Sequence, residues 1–460
     1  MKVHFIAIGG SAMHNLAIAL YHKGYSITGS DDEIFEPSKS RLAACNILPA
    51  TQGWDASRIT PAIDAVILGM HAKSDNPELL RATELGIKIF SYPEYLYEQS
   101  KDKKRVVIGG SHGKTTITAM ILHVLQQLSV NCDYMVGAQL EGFDVMVRLT
   151  EEAPLMIIEG DEYLTSPIDL RPKFHLYKPD IALLSGIAWD HINVFPTFEN
   201  YADQFIIFIN QISKGGTLIY CNEDEELKRI CQVSRNDINI IPYGALPHEI
   251  SNGVTRIQVN NAWVPLQIFG RHNLMNLNGA RLVCRQLGIG DAEFYEAIQS
   301  FRGASKRLEL IAKKESRVVY KDFAHAPSKV EATLKAVKEQ FPGRRVVACL
   351  ELHTYSSLNK EFLGHYKGTL DPADAAFVYF NSHALQVKRL PEITELQVKE
   401  GFCKAGMEVF TDSAKLIKRL FREEDPGTVL LMMSSGNYDG IDLKDFSLQW
   451  VTLKPGLAVH

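Results

Sequence analysis

The chain has 460 residues, 46% of them hydrophobic and 22% charged, with a net charge of −5. That composition excludes a disordered or collagen-like chain, and the length points to about three domains of ordinary size. No long basic run offers a track for nucleic acid, no stretch of about 18 apolar residues occurs, and the apolar part of MKVHFIAIGG is too short for a signal peptide. A cytoplasmic protein with no membrane anchor and no nucleic-acid partner is expected. The seven cysteines are scattered and lack a CxxC pair, which fits reduced, buried thiols better than disulfides or zinc.

Residues 3–8 read as a strand, Gly9 and Gly10 turn it, and 12–23 read as a helix ended by Gly24. A second strand over 25–28 leads to Gly29, Ser30 and Asp31. Strand, glycine turn, helix, strand and acid open a nucleotide-binding α/β unit, with Asp31 where such folds bond a sugar hydroxyl. The dinucleotide fingerprint GxGxxG is not met, because Ala7 and Ala12 take its first and third positions. Strands over 65–68 and 87–90, a helix over 76–85 and a polar connector at 99–104 complete the first domain.

Arg105 to Ile108 reads as a short buried strand, broken by Gly109 and Gly110, and 115–128 reads as a helix with Ile117, Met120, Ile121, Val124, Leu125 and Leu128 on one face. Strand, glycine turn and helix start make a phosphate cradle. The loop glycines let backbone N–H groups close on phosphate oxygens, the helix N-terminus adds about half a positive charge and Lys114 a whole one, and the Thr115 hydroxyl is placed to ligate Mg²⁺. The common phosphate-loop pattern wants a glycine where Ile108 stands, so GxxGKTT is a tighter variant. The apolar run 155–158 ends in Glu159, Gly160, Asp161 and Glu162. Glu159, at a strand's C-terminal end, is the candidate Mg²⁺ ligand, although three acids in four residues also suit a solvated turn. A strand over 181–187 runs to Asp190 and His191, and its place in the same sheet makes His191 an active-site candidate. A helix at 200–212, a strand at 217–221 and hairpin-like alternation at 250–269 come next. Gly270 then precedes a helix carrying His272, Asn273 and Asn276, polar groups that suit either a base or a helix cap.

After a linker at 301–303, strands at 317–320, 345–350, 376–380 and 429–433 alternate with helices at 328–340, 358–367 and 412–423. Polar strand ends stand at Asp322, His325, Glu351, His353, Ser434 and Asn437. The fold class is α/β, with three tandem domains over 1–100, 101–300 and 301–460. Each is an open, mostly parallel sheet with flanking helices, Rossmann-like at both ends and P-loop in the centre.

GGSHGKTT at 109–116, EGDEY at 159–163, DH at 190–191, GRHNLMN at 270–276, FRGASKRLE at 301–309 and DFAHAP at 322–327 stand in the order in which the Mur ligase family carries its motifs. On these the chain resembles that family over essentially its full length. The IGGSAM start and GSD at 29–31 are similar to the members that act on UDP-N-acetylmuramic acid itself. This implies UDP-sugar contacts from Gly9, Gly10, Ser11, Ala12, Met13, Ser30 and Asp31. The amine substrate of those members is L-alanine or the murein tripeptide L-alanyl-γ-D-glutamyl-meso-diaminopimelate, used in peptidoglycan recycling. Residues 31–42, 161–179 and 433–441 resemble the tripeptide branch, whereas Leu352, His353, Thr354 and Tyr355 are nearer the alanine branch. Gly186 and Ala188 stand where family members usually carry Asn and Glu.

The resemblance implies ATP-dependent amide formation through an acyl phosphate, with Lys114, Glu159 and His191 catalytic. Gly110, Ser111, His112, Gly113, Lys114, Thr115, Thr116, Asn273, Asn276, Arg307, Asp322 and His325 would bind ATP, and Thr115, Glu159 and His191 would hold Mg²⁺. Two other classes are weighed on the residues alone. One is a nicotinamide-dependent oxidoreductase, against which the broken GxGxxG speaks; the other is a non-catalytic nucleotide switch.

Overall fold

The structure is a computed structural model and describes residues 1–140, 142–143, 145–189, 194–232, 235–251, 253–259, 262–304, 307–423 and 425–452. Short apolar runs near the start form a parallel sheet because they are buried on both faces. β1 (Lys2–Ile6), β2 (Ser26–Ser30), β3 (Ala65–Leu68) and β4 (Lys88–Ser91) lie in the order β2-β1-β3-β4, and all four residues of β3 are buried. β1 stops two residues short of its predicted end. Ala7 there takes a left-handed φ of 68°, and the N–H groups of Ala7 and Ile8 both donate to the Ser30 carbonyl. Helix α1 (Ser11–His22) starts after this turn.

The central sheet is built on β5 (Lys104–Gly109), which leads through the phosphate loop into α2 (Lys114–Gln127). Then come β6 (Cys132–Met135), β7 (Val147–Arg148), β8 (Leu155–Glu159), β9 (Ile181–Leu184), α3 (Phe198–Asn210), β10 (Thr217–Cys221) and β11 (Asn239–Tyr243). The strand order is β11-β10-β9-β5-β8-β6-β7, parallel except at β7. Ile108 pairs with Glu159 and Gly109 with Leu184, so β5, β8 and β9 end level with one another, and the loops leaving these three strands meet at one edge. β9 ends three residues before its predicted end, because Gly186 turns the chain at φ 151°.

β12 (His248–Ser251), β13 (Val254–Val259) and β14 (Ala262–Leu266) form an antiparallel meander, and helix α4 (Arg271–Gln286) follows. The last sheet comprises β15 (Glu309–Lys314), β16 (Arg317–Asp322), β17 (Val346–Leu352), β18 (Ala375–Phe380), β19 (Glu408–Phe410) and β20 (Val429–Met433), in the order β15-β16-β20-β17-β18-β19. Its period of two is visible in β17: Val346, Ala348 and Leu350 face one core with α5 (Pro327–Gln340), and Val347 and Cys349 face the other with Trp450. The helix predicted over 358–367 is only a 3₁₀ turn, Leu363–Tyr366. Local side-chain bonds win there: Ser357 N–H donates to Thr354 Oγ1, and Glu361 N–H donates to Asn359 Oδ1. By compactness the chain divides into residues 1–244 with 276–297, and residues 245–275 with 298–460. All seven cysteines are free thiols, and no helix among the described residues is long and apolar enough to cross a membrane.

Candidate active site

The phosphate loop lies at the C-terminal edge of the central sheet. Gly110 has a φ of 121°, and a Cβ there would come within 2.9 Å of Ser185 N, so glycine is required on both counts. Gly113 opens α2 at φ 78°, where a Cβ would stand 2.5 Å from Asn276 Oδ1; Asn276 therefore packs against the loop itself. Ser111 ties the loop to the end of β9. Its N–H and its hydroxyl each donate to the Gly186 carbonyl at 3.1 Å, and Ala188 N–H donates to Ser111 Oγ. The His112 ring fills the space a side chain at 186 would need, since a Cβ there would lie 2.9 Å from Nε2. A side chain at 186 would therefore collide with that ring.

Lys114 donates to the Gly110 carbonyl at 2.6 Å and to Glu162 Oε2 at 2.5 Å. Burial works against its charge, yet Glu162, Asp161 and Glu159 outweigh that effect and raise its pKa above the usual lysine value. Thr115 Oγ1 donates to Glu159 Oε1 at 2.8 Å, and Gly137 N–H donates to Glu159 Oε2 at 2.8 Å. Thr116 is buried in the first turn of α2. No group of three or more His, Cys, Asp and Glu among the described residues is arranged to hold a metal. The Thr115–Glu159 pair nevertheless fits Mg²⁺, which takes one or two protein oxygens and completes its shell with water and phosphate. His191 and Asp190 lie outside the described residues.

At the first sheet, Gly9 N–H donates to Asp31 Oδ2 at 2.7 Å, and Gly10, Ser11, Ala12 and Met13 carry the turn into α1. Burial, then the neighbouring Asp32, push the Asp31 carboxyl up to about 6, against the bond from Gly9. Ser30 is fully buried and its hydroxyl donates to Glu78, so it braces the site from beneath. His14 bonds the Gly10 carbonyl and Ser38 Oγ, and burial lowers its pKa.

In the other unit, Asp322 uses both carboxylate oxygens internally, accepting from Leu308 N–H at 3.0 Å and from the Thr333 hydroxyl. The Arg307 guanidinium stacks on Phe323 at 4.6 Å, and His325 meets the same ring edge-on while bonding the Phe323 carbonyl at 2.8 Å. Phe323 thereby gathers Arg307 and His325 beside Asp322. Asn273 Nδ2 donates to the Phe269 carbonyl at 2.9 Å, ahead of the helix. Glu351, almost fully buried, accepts from the Ser434 hydroxyl and from Tyr438 N–H, with His353 Nδ1 3.7 Å away.

Residues 2–104 match the Mur ligase family catalytic domain, 108–284 the Mur ligase middle domain, and 306–436 the Mur ligase glutamate ligase domain. The chain belongs to the Mur ligase family. It is an ATP-dependent ligase that forms amide bonds. It is similar to the UDP-N-acetylmuramate–L-alanine ligase of Desulforamulus reducens, at 32% identity over 78% of this chain and 79% of that one. It is also similar to the UDP-N-acetylmuramate–L-alanyl-γ-D-glutamyl-meso-2,6-diaminoheptandioate ligase of Haemophilus influenzae, at 28% identity over 96% and 98%. Among solved structures, the murein peptide ligase of Psychrobacter arcticus has a similar fold, with a TM-score of 0.63 and 21% identity over 99% of both chains.

Three buried polar residues beside these turns escape a reading of the sequence. Glu162 reads as one acid of a solvated turn but is 1% exposed against Lys114. Tyr201 sits in an ordinary amphipathic pattern yet donates to Glu162 at 3.1 Å. Glu78, in the first turn of the helix Pro77–Glu84, is fully buried. The only signal in the sequence was the density of acids at 159–162.

Proposed function

We propose that this Mur ligase joins the lactoyl carboxylate of UDP-N-acetylmuramic acid to the amine of L-alanyl-γ-D-glutamyl-meso-diaminopimelate, with ATP as phosphoryl donor. A carboxylate at neutral pH lacks a good leaving group. Its oxygen attacks the γ-phosphorus, ADP leaves, the amine attacks the acyl carbon and loses a proton, and inorganic phosphate departs. Both first reactants are anionic, so the site must offset their repulsion. The loop N–H groups from Gly110 to Thr116 and the start of α2 would bind the phosphates, with Lys114 on the transferred group. Thr115 and Glu159, with His191, would hold Mg²⁺, which neutralises triphosphate charge when bound. Asn276 would complete the part of the ATP site that lies with the phosphate loop, and the turn at Gly9–Met13 with Asp31 would form the UDP-sugar site.

The observation that carries the reading is the 2.8 Å contact of Thr115 with Glu159 beside Lys114. The tripeptide is favoured by segments 31–42, 161–179 and 433–441 and by the Haemophilus influenzae relative, which is named for it. A second reading, with L-alanine as the amine, is favoured by residues 352–355 and by the 32% identical relative. The test supplies ATP, Mg²⁺ and UDP-N-acetylmuramic acid with either amine, and monitors phosphate release and product mass. Tripeptide-dependent release and a product whose mass is the sum of the two joined substrates less one water are expected. Release with L-alanine alone would support the second reading, and release with neither would overturn both.

A further inference from the structure

The ligation reaction leaves one carboxylate beside the phosphate loop without a task. Glu162 is 1% exposed, its Oε2 lies 2.5 Å from Lys114 Nζ, and its Oε1 accepts from Tyr201 OH at 3.1 Å. Tyr201 is itself fully buried, on α3. The ammonium of Lys114 is thus strung between this carboxylate and the Gly110 carbonyl, at 2.6 Å, inside the loop that would receive a triphosphate. A buried ion pair whose acid has a further donor is fixed in geometry as well as in charge.

We propose that Glu162, oriented by Tyr201, is a positioning residue that docks the Lys114 ammonium and competes with nucleotide phosphates for it. The proposal rests on the ATP-site reading of the phosphate loop. Phosphate and carboxylate are both anions seeking one cation in a site shielded from water, so each weakens the other's hold. An ammonium delivered at a set place, but not surrendered fully in the ground state, keeps ADP from binding too tightly to leave. Binding energy withheld from the ground state is then available in the transition state.

The experiment titrates Mg²⁺ with fluorescent N-methylanthraniloyl-ADP into the full chain and into the variants Lys114→Ala, Glu162→Gln, Tyr201→Phe and Glu162→Gln/Tyr201→Phe. Glu162→Gln should bind ADP more tightly by about tenfold or more, the worth of one charge-assisted hydrogen bond, with a parallel fall in KM for ATP. Loss of a merely structural acid would change affinity in the opposite direction. Tyr201→Phe removes the donor that orients Glu162, so the hold of that carboxylate on Lys114 should loosen and ADP binding should tighten about threefold or more, and this effect should vanish in the double variant. ADP affinity unchanged or weakened in a folded Glu162→Gln overturns the proposal. If Glu162→Gln does not fold, unchanged or weakened ADP affinity in Tyr201→Phe overturns it instead. Absence of ADP binding by the wild type, or binding indifferent to Lys114→Ala, would instead refute the ATP site itself, and the proposal with it.

Discussion

Glu78→Ala is predicted to loosen the first sheet and its glycine turn at Gly9–Met13 while leaving the central phosphate loop intact. Asn76 caps the helix Pro77–Glu84 and delivers Glu78 in its first turn beneath the sheet, where the side chain is fully buried. Its Oε2 bonds His4 Nε2 at 3.2 Å and the Ser30 hydroxyl, and its Oε1 accepts from Asp55 N–H at 2.9 Å and lies 3.5 Å from Arg58. Alanine would strand two buried groups, His4 and Ser30, at about 1–3 kcal/mol each, while the exposed Asp55 N–H rehydrates. A loss of about 3 kcal/mol should speed hydrogen exchange at residues 2–6 and 26–30 by about a hundredfold, since each 1.4 kcal/mol is about tenfold. UDP-sugar binding, measured by calorimetry, should weaken, because Ser30 precedes Asp31, which holds Gly9. Acid should erase the difference. Burial would raise the Glu78 pKa, but the bonds from His4, Asp55 N–H and Ser30 prevail and hold it below 4.5. Its stabilisation is therefore complete above pH 4.5 and is lost as pH falls through the folded value. Unchanged exchange in the first sheet, or equal acceleration at residues 104–109, would refute the reasoning.

Gly113→Ala should weaken ADP binding by about tenfold or more, because φ 78° costs an L residue about 1–2 kcal/mol and the new Cβ meets Asn276; a nucleotide titration of the folded variant checks this. Thr115→Val should raise the Mg²⁺ concentration needed for half-maximal phosphate release by about tenfold or more, since it removes one of the two paired oxygens at nearly constant volume. Asp31, raised to about 6 from 3.8, contributes stability that is present below pH 3.8 and is lost as pH rises through 6. Asp31→Asn should therefore flatten stability between pH 4 and 7 by at most about 3 kcal/mol, read from urea unfolding of the first sheet.

The phosphate loop was legible in the sequence because its chemistry is local: a buried strand, glycines that accept positive φ, a lysine and a hydroxyl at a helix start. The parallel sheets were legible from apolar runs buried on both faces. Ala7 shows where local reading ends. It broke the dinucleotide fingerprint on paper, yet it takes the left-handed conformation a glycine would, and the turn forms with Gly9 bonded to Asp31. The predicted helix at 358–367 failed because Thr354, Ser357 and Asn359 satisfy backbone groups before a helix can.

Glu159 was a candidate from its place at a strand end, but tertiary structure alone decided what the acids pair with. Glu159 lies 44 residues from Thr115, and strand register brings them together, because β8 pairs with β5 so that Glu159 stands level with Ile108. Glu162, Glu78 and Tyr201 carry no pattern that separates them from surface acids and core aromatics. Their roles come from helices packing back over a sheet edge. Periodicity fixes which face of an element is buried, but a buried charge is chosen by the partner that waits for it, and that partner is distant in the chain.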